Sequence, residues 1–413
     1  MDTLAIAYVL PVLVGAWHLT PVSAGILISA GYGGQLVGGI LSGWFAERVG
    51  RRRTMQYTVA AYAILSLLCA FSWSYSSLLV FRTLQGLGLG GEVPVAAVYI
   101  NELAQARNRG RFFLLYEQSY SAGRLLAALL GVWIVVNLGW RYMFLIGGLP
   151  AILVLFLRQS LPESPRWLVS RGKIEEARMV LNKIESHARV QDVEPLEWPA
   201  KEPTKSSSKS DWRELFSAAY RTRTFSTWIL WFSAFLLLNG LSNWVPTLYT
   251  TVFHLSVKTA LRYGALSSLC GFAGCVAVAF LIEWTGRRAW YVLAFFFAGL
   301  ACLGVWYLDA SPVFVVLTLT CVTAFFLNSI AMVVFLHTPE IYPTRMRALA
   351  TSAASSWLRV ASITAPAFIA FAMGRTSLAV VFLGLGSVAW VAAIVAAMFA
   401  EETKGRVLED IAQ

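Results

Sequence analysis

The stretch Gly43-Trp-Phe-Ala-Glu47-Arg48-Val-Gly50-Arg51-Arg52-Arg53 decides the fold. An apolar run ends in this stretch, a short basic turn follows, and a second apolar run begins at Met55. Two membrane-spanning helices joined by almost no loop give this pattern, because about 20 apolar residues are needed to cross a bilayer. A related turn, Ile282-Glu283-Trp-Thr-Gly286-Arg287-Arg288, recurs in the second half of the chain.

The composition extends this interpretation to the whole chain. The 413 residues are 58% hydrophobic and only 13% charged, whereas a soluble domain carries roughly a quarter charged residues. Repeated apolar runs explain the difference and predict an all-α, polytopic membrane protein. Twelve spans are expected, at 3–17, 21–45, 54–72, 77–100, 112–136, 141–158, 224–249, 261–282, 289–308, 313–336, 347–372 and 376–399.

The first predicted span is short for a membrane helix. The apolar run from Leu4 to Trp17 gives about 20 Å of helix, against a hydrocarbon core of about 30 Å. We therefore expect the chain to start partway through this helix, with residues upstream of Met1 missing from this sequence. A re-entrant segment is the alternative.

The charge distribution indicates how the chain sits in the membrane. A net charge of +11 could suggest nucleic acid or anionic lipid as a partner. The basic residues instead fall in alternate loops, as the positive-inside rule demands. We expect a monomer in the lipid bilayer of a plasma membrane, in a bacterium the inner membrane, with both termini cytoplasmic and no nucleic-acid partner.

The chain divides into two halves that repeat. Glu47 and Glu283 are 236 positions apart (283 − 47), and Glu102 and Glu340 are 238 apart (340 − 102). Matched offsets indicate a duplicated six-helix unit, which is typical of one large class of transporters. The expected parts are an N-terminal half, a cytoplasmic linker with an amphipathic helix, a C-terminal half and a cytoplasmic tail, at 1–158, 159–223, 224–400 and 401–413.

Several motifs resemble those of the major facilitator superfamily. The basic turn is similar to the family's loop motif between helices 2 and 3, with Glu47 in place of the usual Asp. Other stretches resemble the sugar-porter-like branch: Arg82-x-x-x-Gly86, Glu102…Arg109-Gly-Arg111, Pro162-Glu-Ser-Pro-Arg-Trp167, Glu340-x-x-Pro343-Thr-x-x-Arg347 and Glu402-Thr-Lys-Gly405. The resemblance implies alternating access, with a gating set made of Gly43, Glu47, Arg48, Gly50, Arg51, Glu102, Arg109, Arg111, Glu283, Gly286, Arg287, Glu340 and Arg347.

The residues with which sugar porters bind sugar are mostly replaced. Their helix-7 motif Gln-Gln-x-Ser-Gly-x-Asn gives way to Asn239-Gly-Leu-Ser-Asn243-Trp244, and their helix-5 Gln position is Glu117. The stretch Gly90-Gly-Glu92-Val-Pro94 is similar to bacterial nicotinate and aromatic-acid proton symporters, which are related to the synaptic vesicle glycoprotein group. This resemblance implies uptake of a small organic anion, such as nicotinate or an aromatic carboxylate, together with a proton.

Charged residues inside spans need a partner or a role, because a charge at the bilayer centre costs at least about 2.5–3.5 kcal/mol. Asp2 and Arg82 resemble the proton site of proton-coupled sugar porters. Separating a carboxylate from its arginine in a low dielectric favours protonation, so a helix movement could bind and release a proton. A static ion pair that fixes helix packing is the alternative.

Arg124 in the fifth span and Arg359 in the eleventh are the candidate substrate ligands. Arginine binds a carboxylate in a bidentate way, and nearby aromatic side chains could stack on a flat ring. The other candidates are Glu117, Tyr120, Asn239, Asn243, Trp244, Asn328 and Trp357. The alternatives are that Arg124 pairs with Glu92 or Glu117, that the aromatic residues face lipid or only pack, and that the amides join helices.

Two other functions remain open from the sequence. One is a proton-coupled sugar or polyol porter, and the other is a transporter-like receptor or sensor that binds without translocating. An enzyme is not expected, because no Ser-His-Asp set or cofactor loop is evident. The five cysteines lie in apolar runs without metal-ligand spacing, so we expect neither a metal nor a cofactor and expect the proton gradient to drive transport.

Overall fold

The computed structural model describes residues 2–103, 109–149, 152, 161–188, 212–308, 312–373 and 378–405. The first half contains α1 (Asp2–Trp17), α2 (Pro21–Val49), α3 (Arg51–Ala70), α4 (Tyr75–Leu103), α5 (Arg109–Asn137) and α6 (Trp140–Gly147). The connecting region contains α7 (Pro165–Ser170), α8 (Ile174–Ala188) and a 3-10 helix (Trp212–Phe216). The second half contains α9 (Arg221–Thr251), α10 (Val257–Thr285), α11 (Arg287–Tyr307), α12 (Val313–Glu340), α13 (Thr344–Met373) and α14 (Leu378–Phe399).

The prediction of an all-α membrane protein is confirmed. Each of the twelve predicted spans overlaps one of the helices α1–α6 or α9–α14. Residues 150, 151 and 153–158 of the sixth span and residues 376 and 377 of the twelfth lie outside the described residues. Of the described helices, 8 are long and apolar enough to cross a membrane, and α1 is a shorter apolar helix. The amphipathic helix expected in the linker is α8.

A single glycine joins the two helices at each basic turn. Gly50 links α2 to α3 with φ of 103°, and Gly286 links α10 to α11 with φ of 90°. L-residues rarely adopt such values, so glycine is required here. A Cβ at either position would also collide with a carboxylate, that of Glu163 at the first turn and that of Glu402 at the second.

These two carboxylates hold the first turns of α3 and α11. Glu163 Oε1 accepts hydrogen bonds from the backbone N–H groups of Arg51 (2.8 Å) and Arg52 (3.1 Å). Glu402 accepts from the backbone N–H groups of Arg287 (2.9 Å) and Arg288 (3.1 Å). A carboxylate at a helix start satisfies N–H groups that have no partner within the helix and interacts favourably with the helix dipole.

The environment of Glu402 keeps its carboxylate ionised. Burial raises the pKa of Glu402, but hydrogen bonds from the backbone N–H groups of Lys404, Arg287 and Arg288 outweigh burial, so its pKa lies below the usual value. Glu163 and Glu402 are 239 positions apart (402 − 163). The turn, the glycine and the capping carboxylate are therefore repeated together in the two halves.

The two halves pack against each other through α2 with α13, α5 with α10, and α1 with α9. We call the end of the bundle that carries Arg51–Arg53 and Arg287–Arg288 the basic end. The halves approach closely at the opposite end, where a Cβ at Gly25 would collide with Ala370. Nearby, Ser29 Oγ donates a hydrogen bond to the Ile363 carbonyl (2.8 Å).

Replacing Gly286 with alanine tests the repeated turn. The Gly286→Ala change puts a Cβ against Glu402 and requires a backbone conformation that costs about 1–3 kcal/mol in a non-glycine residue. We expect a lower apparent melting temperature of the purified protein in detergent. The control is Gly15→Ala, because nothing lies within 4 Å of a Cβ at that helical position. Equal melting temperatures for the two variants would contradict the account.

Candidate functional site

A central cavity of about 330 Å³ lies between the two halves. This volume is within the range of small-molecule sites, about 300–1,000 Å³. The first half contributes residues from each of the helices α1–α6, and the second half contributes residues from α9, α12 and α13. The polar and charged residues that line the cavity include Tyr32, Gln35, Glu92, Tyr120, Arg124, Asn239, Asn328 and Arg359.

Arg124 extends from α5 to the opposite half. Its Nη2 donates a hydrogen bond to Ser242 Oγ (2.7 Å), and its Nη1 donates to Asn239 Oδ1 (3.4 Å), both on α9. Its guanidinium carbon lies 6.0 Å from the centre of the Tyr120 ring. These described partners carry no charge, so they leave the positive charge of Arg124 available to attract an anion.

Arg359 makes the reciprocal connection. Its Nη1 donates a hydrogen bond from α13 to Gln35 Oε1 on α2 (3.2 Å). Each of the two arginines is thus bonded to a side chain of the other half, and both line the central cavity. Glu92 lines the same cavity, which therefore contains two cations and a carboxylate among its described residues.

The predicted amide residues have several partners. Asn239 Nδ2 donates to Ser362 Oγ (2.7 Å), and Asn243 Nδ2 donates to the Asn239 carbonyl (2.6 Å) and to the Tyr32 hydroxyl (3.1 Å). Asn328 Nδ2 donates to the carbonyl of Ala324 in its own helix (2.8 Å). Asn239 and Asn328 line the cavity, while Asn243 is buried and joins α9 to α2.

The two predicted tryptophans lie outside the cavity lining. Trp244 is 1% exposed and packs inside the bundle. Trp357 belongs to an aromatic cluster, with ring centres 6.0 Å from Phe232 and 5.5 Å from Trp228. Neither side chain lines the cavity in this structure. Their roles as substrate ligands stay predictions.

The predicted proton-coupling residues are described in part. Arg82 is 3% exposed, and its Nη1 donates to Gln85 Oε1 (2.7 Å). The backbone of Asp2 begins α1, but its side chain lies outside the described residues, as does that of the substrate candidate Glu117. Asp2 and Arg82 therefore stay a prediction.

The predicted gating residues of the second half form a network at the basic end. Arg287 Nη2 donates to Glu283 Oε1 (2.7 Å) and to Glu340 Oε1 (3.1 Å), and its Nε donates to Glu340 Oε2 (3.2 Å). Thr403 Oγ1 donates to Glu340 Oε2 as well (2.6 Å). The network joins α10, α11, α12 and the segment after α14.

The first half shows related contacts at the same end. Arg51 Nη1 donates to the Ala46 carbonyl (3.2 Å), and Trp167 Nε1 on α7 donates to the Glu47 carbonyl (2.9 Å). Arg48 lies over the ring of Trp44, with its guanidinium carbon 3.8 Å from the ring centre. A Cβ at Gly43 would meet no atom within 4 Å. Of the remaining gating candidates, Arg347 is half-buried, and the side chains of Glu102, Arg109 and Arg111 lie outside the described residues.

Sequence reasoning missed two residues that hold the arginines. Gln35 is a lone amide in the second apolar run, and Ser242 is three positions from Asn239, which places it near the same helix face. Their signal was weak, because a serine in a helix commonly bonds its own backbone. The partners of the arginines could therefore be found only in the folded chain.

The helix arrangement, the duplicated turns and a cavity between the halves define a transporter of the major facilitator type. The chain belongs to the family described as Sugar (and other) transporter, which matches residues 12–413. The resemblance inferred from the motifs is thereby confirmed, and the chain is a multi-pass membrane protein.

Relatives of known name place the chain within this family. It is 34% identical to the niacin transporter NiaP of Acinetobacter baylyi over 412 residues, covering 100% of this chain and 92% of that protein. It is 30% identical to the 4-hydroxybenzoate transporter PcaK of the same organism over 290 residues, 70% of this chain and 62% of that protein. It is 26% identical to the synaptic vesicle 2-related protein of Xenopus laevis over 437 residues, 99% of this chain and 77% of that protein.

Solved structures show the same fold. An inward open conformation of the xylose transporter XylE from E. coli matches with a TM-score of 0.76 at 19% identity, covering 99% of this chain and 95% of that one. A partially occluded inward open conformation of XylE matches with a TM-score of 0.74 at 21% identity, covering 97% and 96%.

Substituting Arg287 with lysine tests the network at the basic end. Lysine lacks the planar fork that lets arginine bond Glu283 and Glu340 together, so the Arg287→Lys change should weaken the contacts that join α10, α11 and α12 at the predicted gate. We expect the transport rate in proteoliposomes to fall several-fold, while ligand affinity in detergent stays within about twofold of the wild-type value, because Arg287 lies away from the cavity.

The control is Arg178→Lys on α8, since Arg178 is exposed and pairs with Glu175 at 3.5 Å. This variant should transport like the wild type, because an exposed ion pair contributes little. A large loss of affinity with a normal rate for Arg287→Lys would instead assign Arg287 to the binding site.

Proposed function

We propose that this transporter takes up a small aromatic carboxylate, such as nicotinate or a benzoate-like acid, together with a proton. One observation carries the proposal: Arg124 and Arg359, from opposite halves, line one cavity, and the described partners of Arg124 are neutral. The names of the relatives, which include niacin and 4-hydroxybenzoate transporters, support it.

The site couples binding to movement through its bonds across the interface. A substrate carboxylate bound to Arg124 adds a charged partner to a guanidinium that already bonds Ser242 and Asn239. Because those partners belong to the other half, an anion changes the strength of the contact between the halves. A ligand that interacts differently with two arrangements shifts the equilibrium between them, as alternating access requires.

The proton step is assigned to Asp2 and Arg82. Arg82 is buried next to Gln85, so its charge requires compensation, and a carboxylate would supply it. Protonation of Asp2 would release Arg82 and let the helices move. The proposal requires no metal, no cofactor and no enzymatic step, since the proton gradient supplies the driving force.

The proposed orientation places the basic end and both termini in the cytoplasm. The positive-inside rule supports this choice, because the duplicated turns concentrate arginine at one end. The close packing at Gly25 and Ala370 then lies on the outer side. We propose a monomer in the plasma membrane, the inner membrane of a bacterium, with the four parts 1–158, 159–223, 224–400 and 401–413.

A sugar or polyol porter is the second candidate. The observations that favour it are the XylE-like fold and the neutral hydrogen-bonding side chains in the cavity, among them Tyr32 and Asn328. Arg124 in the lining argues for an anion instead, because its described partners are neutral and a neutral sugar does not compensate its charge.

Uptake by proteoliposomes tests the proposal. Vesicles containing the purified protein should accumulate labelled nicotinate faster when the external solution is made acidic. The Arg124→Gln change should lower uptake at least about tenfold, because a hydrogen bond to a charged group contributes about 1.5–3 kcal/mol.

The matched control is Arg262→Gln, at an exposed position on α10, which should transport like the wild type. Acid-stimulated uptake of a sugar without uptake of nicotinate would favour the second candidate. Normal nicotinate uptake by Arg124→Gln would show that Arg124 does not bind the carboxylate.

A further inference from the structure

A second, smaller cavity continues the central one. It measures about 40 Å³, and Ser121, Arg124, Leu238 and Asn328 line both cavities. We call it the annex, and its polar lining includes Tyr8, Ser242, Ser267, Ser268, Thr320 and Thr323. Ser268 and Thr320 lie in the parts of α10 and α12 that are remote from the basic end, so the annex lies beyond Arg124 when approached from the central cavity.

The charged and hydroxyl side chains of the annex favour a negatively charged ligand. Among the described residues that line it, Arg124 is the one that carries a charge. Ser242 Oγ accepts a hydrogen bond from Arg124 (2.7 Å), so its own hydroxyl hydrogen can point to a ligand. None of the described residues that line this cavity is a carboxylate that would compete with an anion from outside.

A pair of hydroxyl groups supplies another donor. Tyr8 Oη and Ser268 Oγ lie 2.9 Å apart, and only one of their two hydrogens can lie between the oxygens. The other hydrogen is left to donate to a third atom. By contrast, Ser267 and Thr320 donate to carbonyl groups of their own helices, at 3.1 and 2.9 Å. The annex therefore combines a guanidinium with two hydroxyl donors.

The size of the annex limits what it can hold. A cavity needs about 10–15 Å³ to contain one water molecule, so about 40 Å³ corresponds to a few heavy atoms. A carboxylate group has three heavy atoms and fits, whereas an aromatic ring does not. Apolar side chains, among them Leu241, Val245 and Phe272, complete the lining.

We propose that the annex binds the carboxylate group of the substrate while the ring remains in the central cavity. This inference rests on the proposed function and deepens it. The carboxylate must pass between the four residues shared by the two cavities, so substituents next to it on the ring are excluded. Substituents at the far side of the ring lie in the larger cavity and are accepted. The substrate class is a planar arenecarboxylate without a group ortho to the carboxylate.

Competition for binding tests the inference. Labelled nicotinate bound to the purified full-length protein is displaced by 4-methylbenzoate or by 2-methylbenzoate. We expect 2-methylbenzoate to compete at least about tenfold more weakly, which corresponds to about 1.4 kcal/mol. Its methyl group cannot pass between the four residues that the two cavities share. Equal competition by the two isomers would overturn the inference.

Variants at Ser268 separate the annex from the rest of the site. Ser268→Val removes a hydroxyl and fills the annex, so nicotinate binding should weaken at least about tenfold. Ser268→Gly removes the hydroxyl donor without adding bulk, so nicotinate binding should weaken, while the preference for 4-methylbenzoate over 2-methylbenzoate should remain because the four shared residues are unchanged. The control is Ser387→Val at an exposed position on α14, which should bind both isomers like the wild type.

The results also separate failure of the annex from failure of the proposed function. If Ser268→Val binds nicotinate like the wild type while Arg124→Gln does not, the annex holds water only and the inference falls, but the proposed function stands. If the wild type binds no arenecarboxylate, both fall. If Ser268→Val does not fold, as judged by its melting temperature, Ser268→Gly and the isomer comparison decide the matter, since neither adds bulk to the protein.

Discussion

A guanidinium bonded across the interface between the two halves is the constraint on which the site depends. Moving an ion out of water costs several kcal/mol, and Arg124 offsets part of this through Ser242 and Asn239 of the opposite half. Its described partners are neutral, so they accept its hydrogen bonds without offsetting its charge. The interior of the protein is therefore prepared for an anion, and the site exists only where both halves contribute to it.

The same principle acts in the opposite direction through Arg359, which donates to Gln35 of the first half. The two reciprocal bonds hold the halves together around the cavity, whereas bonds within each half hold that half rigid. The carboxylates of Glu163 and Glu402 cap the helices that follow Gly50 and Gly286. Each half can then move as a unit, with the changes confined to the interface.

Much of the fold could be predicted from the sequence, because long apolar runs and basic turns have a direct physical meaning. The repeat was visible in the spacing of Glu47 and Glu283, and the capping carboxylates fall in stretches that resembled family motifs. Their partners could not be predicted, since Glu163 bonds residues 111 and 112 positions away. Such pairs depend on how the halves fold rather than on local pattern.

The candidate site was predictable in part. Arginines inside apolar runs must face the interior, and this reasoning led to Arg124 and Arg359, which line one cavity. Aromatic residues carry less information, because packing and ligand stacking use the same side chains, and Trp244 and Trp357 pack away from the cavity. Residues with hydroxyl groups, such as Ser268, are the hardest to predict as site residues. The sequence does not show whether a serine bonds its own helix or faces a cavity.

The central claim is that Arg124 recognises the carboxylate of the substrate, and calorimetric titration with nicotinate and with its neutral amide, nicotinamide, tests it most directly. The wild type should bind nicotinate at least about tenfold more tightly than nicotinamide, because an arginine–carboxylate pair is among the strong hydrogen-bonding arrangements. In Arg124→Gln this preference should disappear, with the affinity for nicotinamide little changed. An Arg124→Gln variant that retains the full preference for the carboxylate would contradict the account.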